Sequence, residues 1–294
     1  MQQKLYASSG KTEPKLNANA VSIQSALDKH PGKFSAIGSA PFLEDSAELA
    51  TANIYFIFNL ANKHKLHVDL HLDNNLAEGE DLTDDEKRAG KGAMIWEVLG
   101  MVKKGIMGVQ TKTVDGEERT LAIGHGIRLS LFSHEALQRL QHEILSLRRY
   151  TRVYLVALPP CDVYCKGRNL GGAYDQCRAT LNVVKLTQTY GSVGTVKRGN
   201  YEMGLEIALA VGNVQNDFAP QGNADPLELC PIGVMLYQAG LRVTGGEEPS
   251  DDDARILLVS PVPRYKHYRI RFINSTILKS HRTSFKRLNR SLLP

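Results

Sequence analysis

The sequence predicts an α/β fold in which a parallel sheet is joined by crossover helices. Three observations predict it. Strand-like and helix-like patterns alternate along most of the chain, and no two-residue hairpin turn separates successive strands. The strands are short and apolar, as strands covered by helices are. Two of them, at 66–72 and 120–125, deliver a histidine at their carboxyl ends, His71 and His125.

The elements follow in order. Residues 20–29 read as a helix, and 34–40 as a strand stopped by Pro41. Residues 46–63 repeat Leu49, Ala52, Ile54, Ile57, Phe58 and Ala61 at helical spacing behind an acidic start. The next strand carries Val68, Leu70 and Leu72 on one face and His67, Asp69, His71 and Asp73 on the other. An apolar face opposite imidazoles and carboxylates suits a strand with helices outside and a polar centre inside. Residues 84–104 read as one helix around Ile95, Trp96, Val98 and Leu99, and 110–119 as a polar turn or hairpin. The second histidine strand ends at Gly124-His125-Gly126. Residues 133–149 form an amphipathic helix with Leu137, Leu140, Ile144 and Leu147 on one stripe. A buried strand at 153–158 stops at Pro159-Pro160, a Gly-rich loop covers 190–200, a strand covers 205–211, and a helix covers 224–240.

Composition is that of an ordinary globular chain, with 42% hydrophobic and 23% charged residues in 294. No run of about eighteen apolar residues is present, so no transmembrane helix is expected. The start, Met1-Gln2-Gln3-Lys4-Leu5-Tyr6, has no apolar signal core. Cys161, Cys165, Cys177 and Cys230 are too sparse for a disulfide scaffold, and a cytoplasmic location is the expectation. Cys161-x3-Cys165 is a hint of metal or redox chemistry beside the simpler reading as two buried thiols. Net charge is +5, with ten Lys or Arg and no Asp or Glu over residues 254–294, which leaves −5 for the first 253. That segment carries strand-like runs at 256–259 and 268–273, so a solvated face on a small sheet is expected in preference to a nucleic-acid interface. The acidic, Gly-rich stretch at 244–253 divides a main domain, 1–245, from this basic β-rich segment.

Four segments in order resemble the cytosine-deaminase-like branch of the metal-dependent amidohydrolases. Val68-Asp69-Leu70-His71-Leu72-Asp73 matches Ile/Val-Asp-x-His-x-Asp. Gly124-His125-Gly126 through Ser130 matches a later histidine strand followed by a serine-bearing helix start. Leu158-Pro159-Pro160-Cys161-Asp162-Val163-Tyr164-Cys165-Lys166-Gly167-Arg168 matches Leu-Pro-x-x-Asp/Asn-x-x-x-x-Gly-Arg. The stretch from Asn213 to Glu228 is similar to the loop after the family's eighth strand. The resemblance covers roughly 33–240. It implies a (β/α)8 TIM barrel of the metallo-dependent hydrolase type with a small β-sandwich drawn from both chain ends. It also implies a divalent Zn or Fe ion at the barrel rim, whose bound water attacks a ring carbon. His71 and His125 fall on metal-ligand positions, and Asp162, Arg168 and Asn213 on the substrate rim, with a structural loop clamp as the other reading of Asp162 and Arg168.

The chain departs from that pattern in three places. Asn74 stands where the family has a proton-shuttling glutamate, and an amide cannot accept and return a proton at neutral pH. The family's metal-ligating aspartate of strand eight falls on Gly212. No His-x-His occurs upstream, so the resemblance implies a barrel lacking about its first three β/α units, with edges that closure or a homo-oligomer would cover. Asp73 is a stand-in proton carrier, and Asp69, Asp73, His67 or Asn216 are candidate substitute ligands. Two readings stand side by side. One is a hydrolase acting on C–N bonds of a small nucleobase-like ring. The other is a pseudoenzyme or truncated gene product that binds a small molecule or a partner.

Overall fold

The structure is a computed structural model that describes residues 4–6, 15–74, 76, 82–108, 112–165, 179–191, 196–197, 200–201, 204–212, 214–215 and 229–237. Helix α1 (Ala18–Lys29) begins at Asn17, whose side chain accepts from the amides of Asn19 and Ala20. Strand β1 (Ala36–Ser39) follows, then a 3-10 turn at Pro41–Leu43. Helix α2 (Ala47–His64) is capped by the Ser46 hydroxyl and ended by Lys65 in the left-handed conformation. Strand β2 (His67–Leu72) comes next.

The helix expected over 84–104 is two helices, α3 (Asp84–Arg88) and α4 (Met94–Lys103). Gly90 and Gly92 adopt φ of 78° and 72° between them, torsions that a continuous helix does not accommodate. The polar turn after α4 contains an antiparallel bridge, Lys112 with Glu118. Strand β3 (Thr120–His125), helix α5 (His134–Ser146) and strand β4 (Arg152–Ala157) lie close to the sequence expectation. Pro159 and Pro160 do not merely stop β4. They open a short helix, α6 (Pro159–Cys165), where a missing N–H is no loss.

Helix α7 (Val183–Tyr190) was not expected; its eight residues, with Asn182 as cap, carry a weak sequence signal. Strands β5 (Val196–Lys197) and β6 (Asn200–Tyr201) pair antiparallel across two residues, so a short hairpin does exist, outside the main sheet. Strand β7 (Glu206–Leu209) and helix α8 (Leu229–Tyr237) complete the described elements. The basic segment 254–294 lies outside the described residues.

The main sheet has five strands in the order β1-β2-β3-β4-β7, every neighbouring pair parallel. The order never reverses. With right-handed crossovers, an unreversed order sends every connecting helix to the same face, as in a barrel wall. Burial agrees. On β2, Val68, Leu70 and Leu72 are fully buried beneath the helices, whereas His67, Asp69 and His71 on the other face keep partial access. Register then sets layers across that polar face. Gly38, Asp69, Ala122, Tyr154 and Glu206 form one row, and His71, Gly124, Val156 and Ala208 the next.

At the amino-terminal end of the sheet the buried Arg119 ties the layers together. It donates to the Leu66 and Met107 carbonyls and to Asn62 Oδ1. Among the described residues no helix is long and apolar enough to cross a membrane.

Candidate functional site

The carboxyl ends of β2, β3 and β4 converge on a polar cluster. His71 stands on the polar face of β2, two residues above Asp69. Its register neighbour is Gly124, where a β-carbon would lie 3.3 Å from the imidazole. The missing side chain there makes room for the ring.

By alternation His125 would share the helix side with Leu121 and Ile123. It does not, because its φ is +69° and Gly126 follows at +58°. Such torsions are uncommon for a residue with a β-carbon, though histidine is among those that tolerate them. The ring therefore leaves the strand's alternation and meets His71 edge to face, with centroids 4.8 Å apart; Phe42 closes on it at 5.9 Å. His125 is 3% exposed. Its Nδ1 lies 2.5 Å from Asp162 Oδ1, and the Thr180 hydroxyl donates to Asp162 Oδ2 at 2.8 Å. A carboxylate can only accept, so Nδ1 carries the proton and donates. Nε2 is left buried with no hydrogen-bond partner among the described residues, as is Asn74 Oδ1.

Electrostatics follow from crowding. Burial and the neighbouring His125 push His71 down to about 3, so its ring is neutral at physiological pH. Burial raises Asp69 to about 6, partly offset by His125. His71 Nε2 and Asp69 Oδ1 are 3.9 Å apart, yet these directions mean that the two are never charged together. Near pH 7 this is an anion beside a neutral ring rather than an ion pair.

Of the sequence-predicted site residues, His71, His125 and Asp162 come together. Asp73 departs. The strand ends at Leu72, Asp73 takes φ +49°, and its carboxylate accepts from the amides of Met94 and Ile95 at 2.8 and 3.0 Å. Helix α4 has no side-chain cap of its own at Ala93, and Asp73 supplies one from 21 residues upstream. Asp162 has no side-chain exposure and both oxygens are engaged, so it positions His125 instead of touching a ligand. Arg168, Asn213 and Asn216 lie outside the described residues. Gly212, onto which the resemblance places a metal-ligating aspartate, adopts φ +73° and offers no side chain to the rim.

Sequence reasoning missed Thr180, Phe42 and Gly124. Gly124 had a readable signal, a glycine immediately before the histidine that ends a strand. Thr180 had none, because it follows a stretch with no pattern of its own.

A hydrolytic metal needs about three protein ligands. Among the described residues no group of three or more His, Cys, Asp or Glu side chains is arranged to hold one. His71 and His125 are adjacent, but Asp73 is turned to α4 and His67 bonds to Thr120 below. Among the described residues the expected Zn or Fe ion therefore does not find a complete set of ligands.

The fold and this rim define an α/β protein of barrel-wall type with a histidine-rich carboxyl edge. No protein-family model matches the chain, and no curated protein matches it. The solved structure of 5-methylcytosine deaminase from Klebsiella pneumoniae liganded with 5-fluorocytosine is similar, with a TM-score of 0.51 and 15% identity over 83% of this chain and 49% of that one. The same enzyme liganded with phosphonocytosine gives a TM-score of 0.51 and 14% identity, again over 83% and 49%. The chain thus spans about half the length of these structures, and at such identity the likeness is one of fold.

Proposed function

We propose that this chain is a cytosine-deaminase-like amidohydrolase relative whose sheet end takes a small nucleobase-like ring, with hydrolysis of a ring C–N bond as its reaction class. The observation that carries this is His125: Asp162 fixes one ring nitrogen, and the other is buried beside His71 with no partner among the described residues. An imidazole oriented by a carboxylate is suited to hold a polar ligand atom or to contribute to a metal centre. The resemblance at Val68–Asp73 and Leu158–Arg168 and the likeness to a deaminase fold support the same class.

The test is calorimetric titration of the full chain with cytosine and 5-fluorocytosine, with and without Zn²⁺ or Fe²⁺, alongside ammonia release. Binding that disappears in His125→Ala, with ammonia produced, supports the reading. Absence of binding to either ring by a folded protein refutes it.

Asn74 and the absence of a third ligand among the described residues favour a second reading, in which the ring is held without turnover. That reading expects binding unaffected by a chelator and no ammonia. Ammonia release by the wild-type chain refutes it.

A further inference from the structure

The Cys161-x3-Cys165 pair of α6 is unused by the site chemistry, yet it brackets the residue that orients His125. The two sulfurs lie 3.9 Å apart, one turn apart on the same helix. Cys161 is buried and Cys165 is half-buried, and neither is in a disulfide. Between them, Asp162 holds His125 on one oxygen and Thr180 on the other.

We propose that Cys161 and Cys165 are an oxidation site whose reversible disulfide withdraws Asp162 from His125. Residues four apart on a helix have Cα atoms about 6 Å apart, inside the range of about 4.4–6.8 Å that a disulfide spans. Their β-carbons, however, sit about 5–6 Å apart, and the bond requires about 3.5–4.5 Å. Closure therefore draws the turn of α6 inward, and Asp162 lies within that turn. A helix of seven residues is only about two turns long, too short to be held by helix propagation alone.

The oxidant is a peroxide. The more accessible Cys165 thiolate attacks hydrogen peroxide, breaking the O–O bond and becoming a sulfenic acid with loss of hydroxide. The Cys161 thiolate then attacks that sulfur and expels a second hydroxide. With the two thiol protons counted, two thiols and one peroxide yield one disulfide and two waters. A dithiol reductant reverses the change.

This is a regulation of the site proposed above, so it is read without any ligand. The test uses the full chain carrying Cys177→Ser and Cys230→Ser, treated with hydrogen peroxide and then dithiothreitol. Differential alkylation of the tryptic peptide 153–166, which contains both cysteines, reports the bond, and the downfield Nδ1 proton resonance of His125 reports the Asp162 contact. The expected result is joint loss of both thiols and of that resonance, with both restored by reductant. In Cys165→Ser the resonance stays unchanged under peroxide. Thiols that survive peroxide, or oxidise without pairing, overturn the site; a disulfide that leaves the resonance in place overturns the coupling.

Discussion

Asp162 and His125 form a contact of 2.5 Å in which neither side chain has appreciable exposure to solvent. Asp162 comes from the helix after β4 and His125 from the end of β3, so the contact joins two neighbouring β/α units just above the sheet. Without it the His125 Nδ1–H would be a buried donor with no acceptor, and Asp162 would keep only the Thr180 hydroxyl.

Replacing Asp162 with alanine strands the buried His125 Nδ1–H and takes one acceptor from the half-buried Thr180 hydroxyl. The expected loss is about 1–3 kcal/mol of unfolding free energy, as for one buried unsatisfied donor. Asp162→Asn keeps one acceptor and loses about half as much. Urea denaturation of the three proteins measures this, and equal stability across the series would contradict the buried contact.

Asp73 behaves as a helix cap rather than as a proton carrier. Asp73→Ala leaves the Met94 and Ile95 amides unpaired and is expected to cost about 1–3 kcal/mol. Hydrogen exchange should show faster opening at those two amides than in the rest of α4. Protection equal to wild type would remove the cap from the account.

Gly124 limits what can stand beside His71. A methyl group there sits 3.3 Å from the ring, so Gly124→Ala asks the imidazole to shift by a few tenths of an ångström. The sheet should hold within about 1 kcal/mol, because alanine is no worse than glycine in a strand. The His71 ring resonances should move while distant methyl signals stay fixed.

Stability should depend on pH through Asp69. Its folded value, about 6, lies above the ordinary 3.8, so the folded state keeps a proton that the unfolded chain releases. Stability therefore falls as pH rises from about 4 to about 6, and the penalty is complete above that window. His71 works in the opposite sense, since its lowered value removes stability as pH falls from 6.5 toward about 3. Asp69→Asn isolates the first effect. It should stabilise the protein at pH 7 by about 1–2 kcal/mol, discounting for the partial exposure of the carboxylate, and give nearly nothing at pH 4. A gain of the same size at both pH values would assign it to packing.

The alternation of β2 and the approximate bounds of α2, β3, α5 and β4 were legible because hydrophobic period and capping residues agree there. The proximity of His71 and His125 was legible as well, from two strands ending alike. The roles of Asp73 and Asp162 were not. Each depends on where a side chain goes after its strand ends, which is set by torsions and by partners distant in sequence, Met94 in one case and His125 in the other. The break between α3 and α4 was legible in principle from Gly90 and Gly92, but the apolar spacing around Ile95 masked it.

The positive φ values at Asp73 and His125 carry a consequence for how this rim can change by mutation. Direction at these two mounts is set by the backbone, so a new side chain inherits the old heading. The same torsions narrow the choice of newcomer, since beyond glycine they favour asparagine, aspartate and histidine and penalise branched residues. Drift at either mount is thereby confined to a small alphabet in which every letter but glycine carries a polar head. Both positions therefore keep a polar head through most of the substitutions that their backbone tolerates.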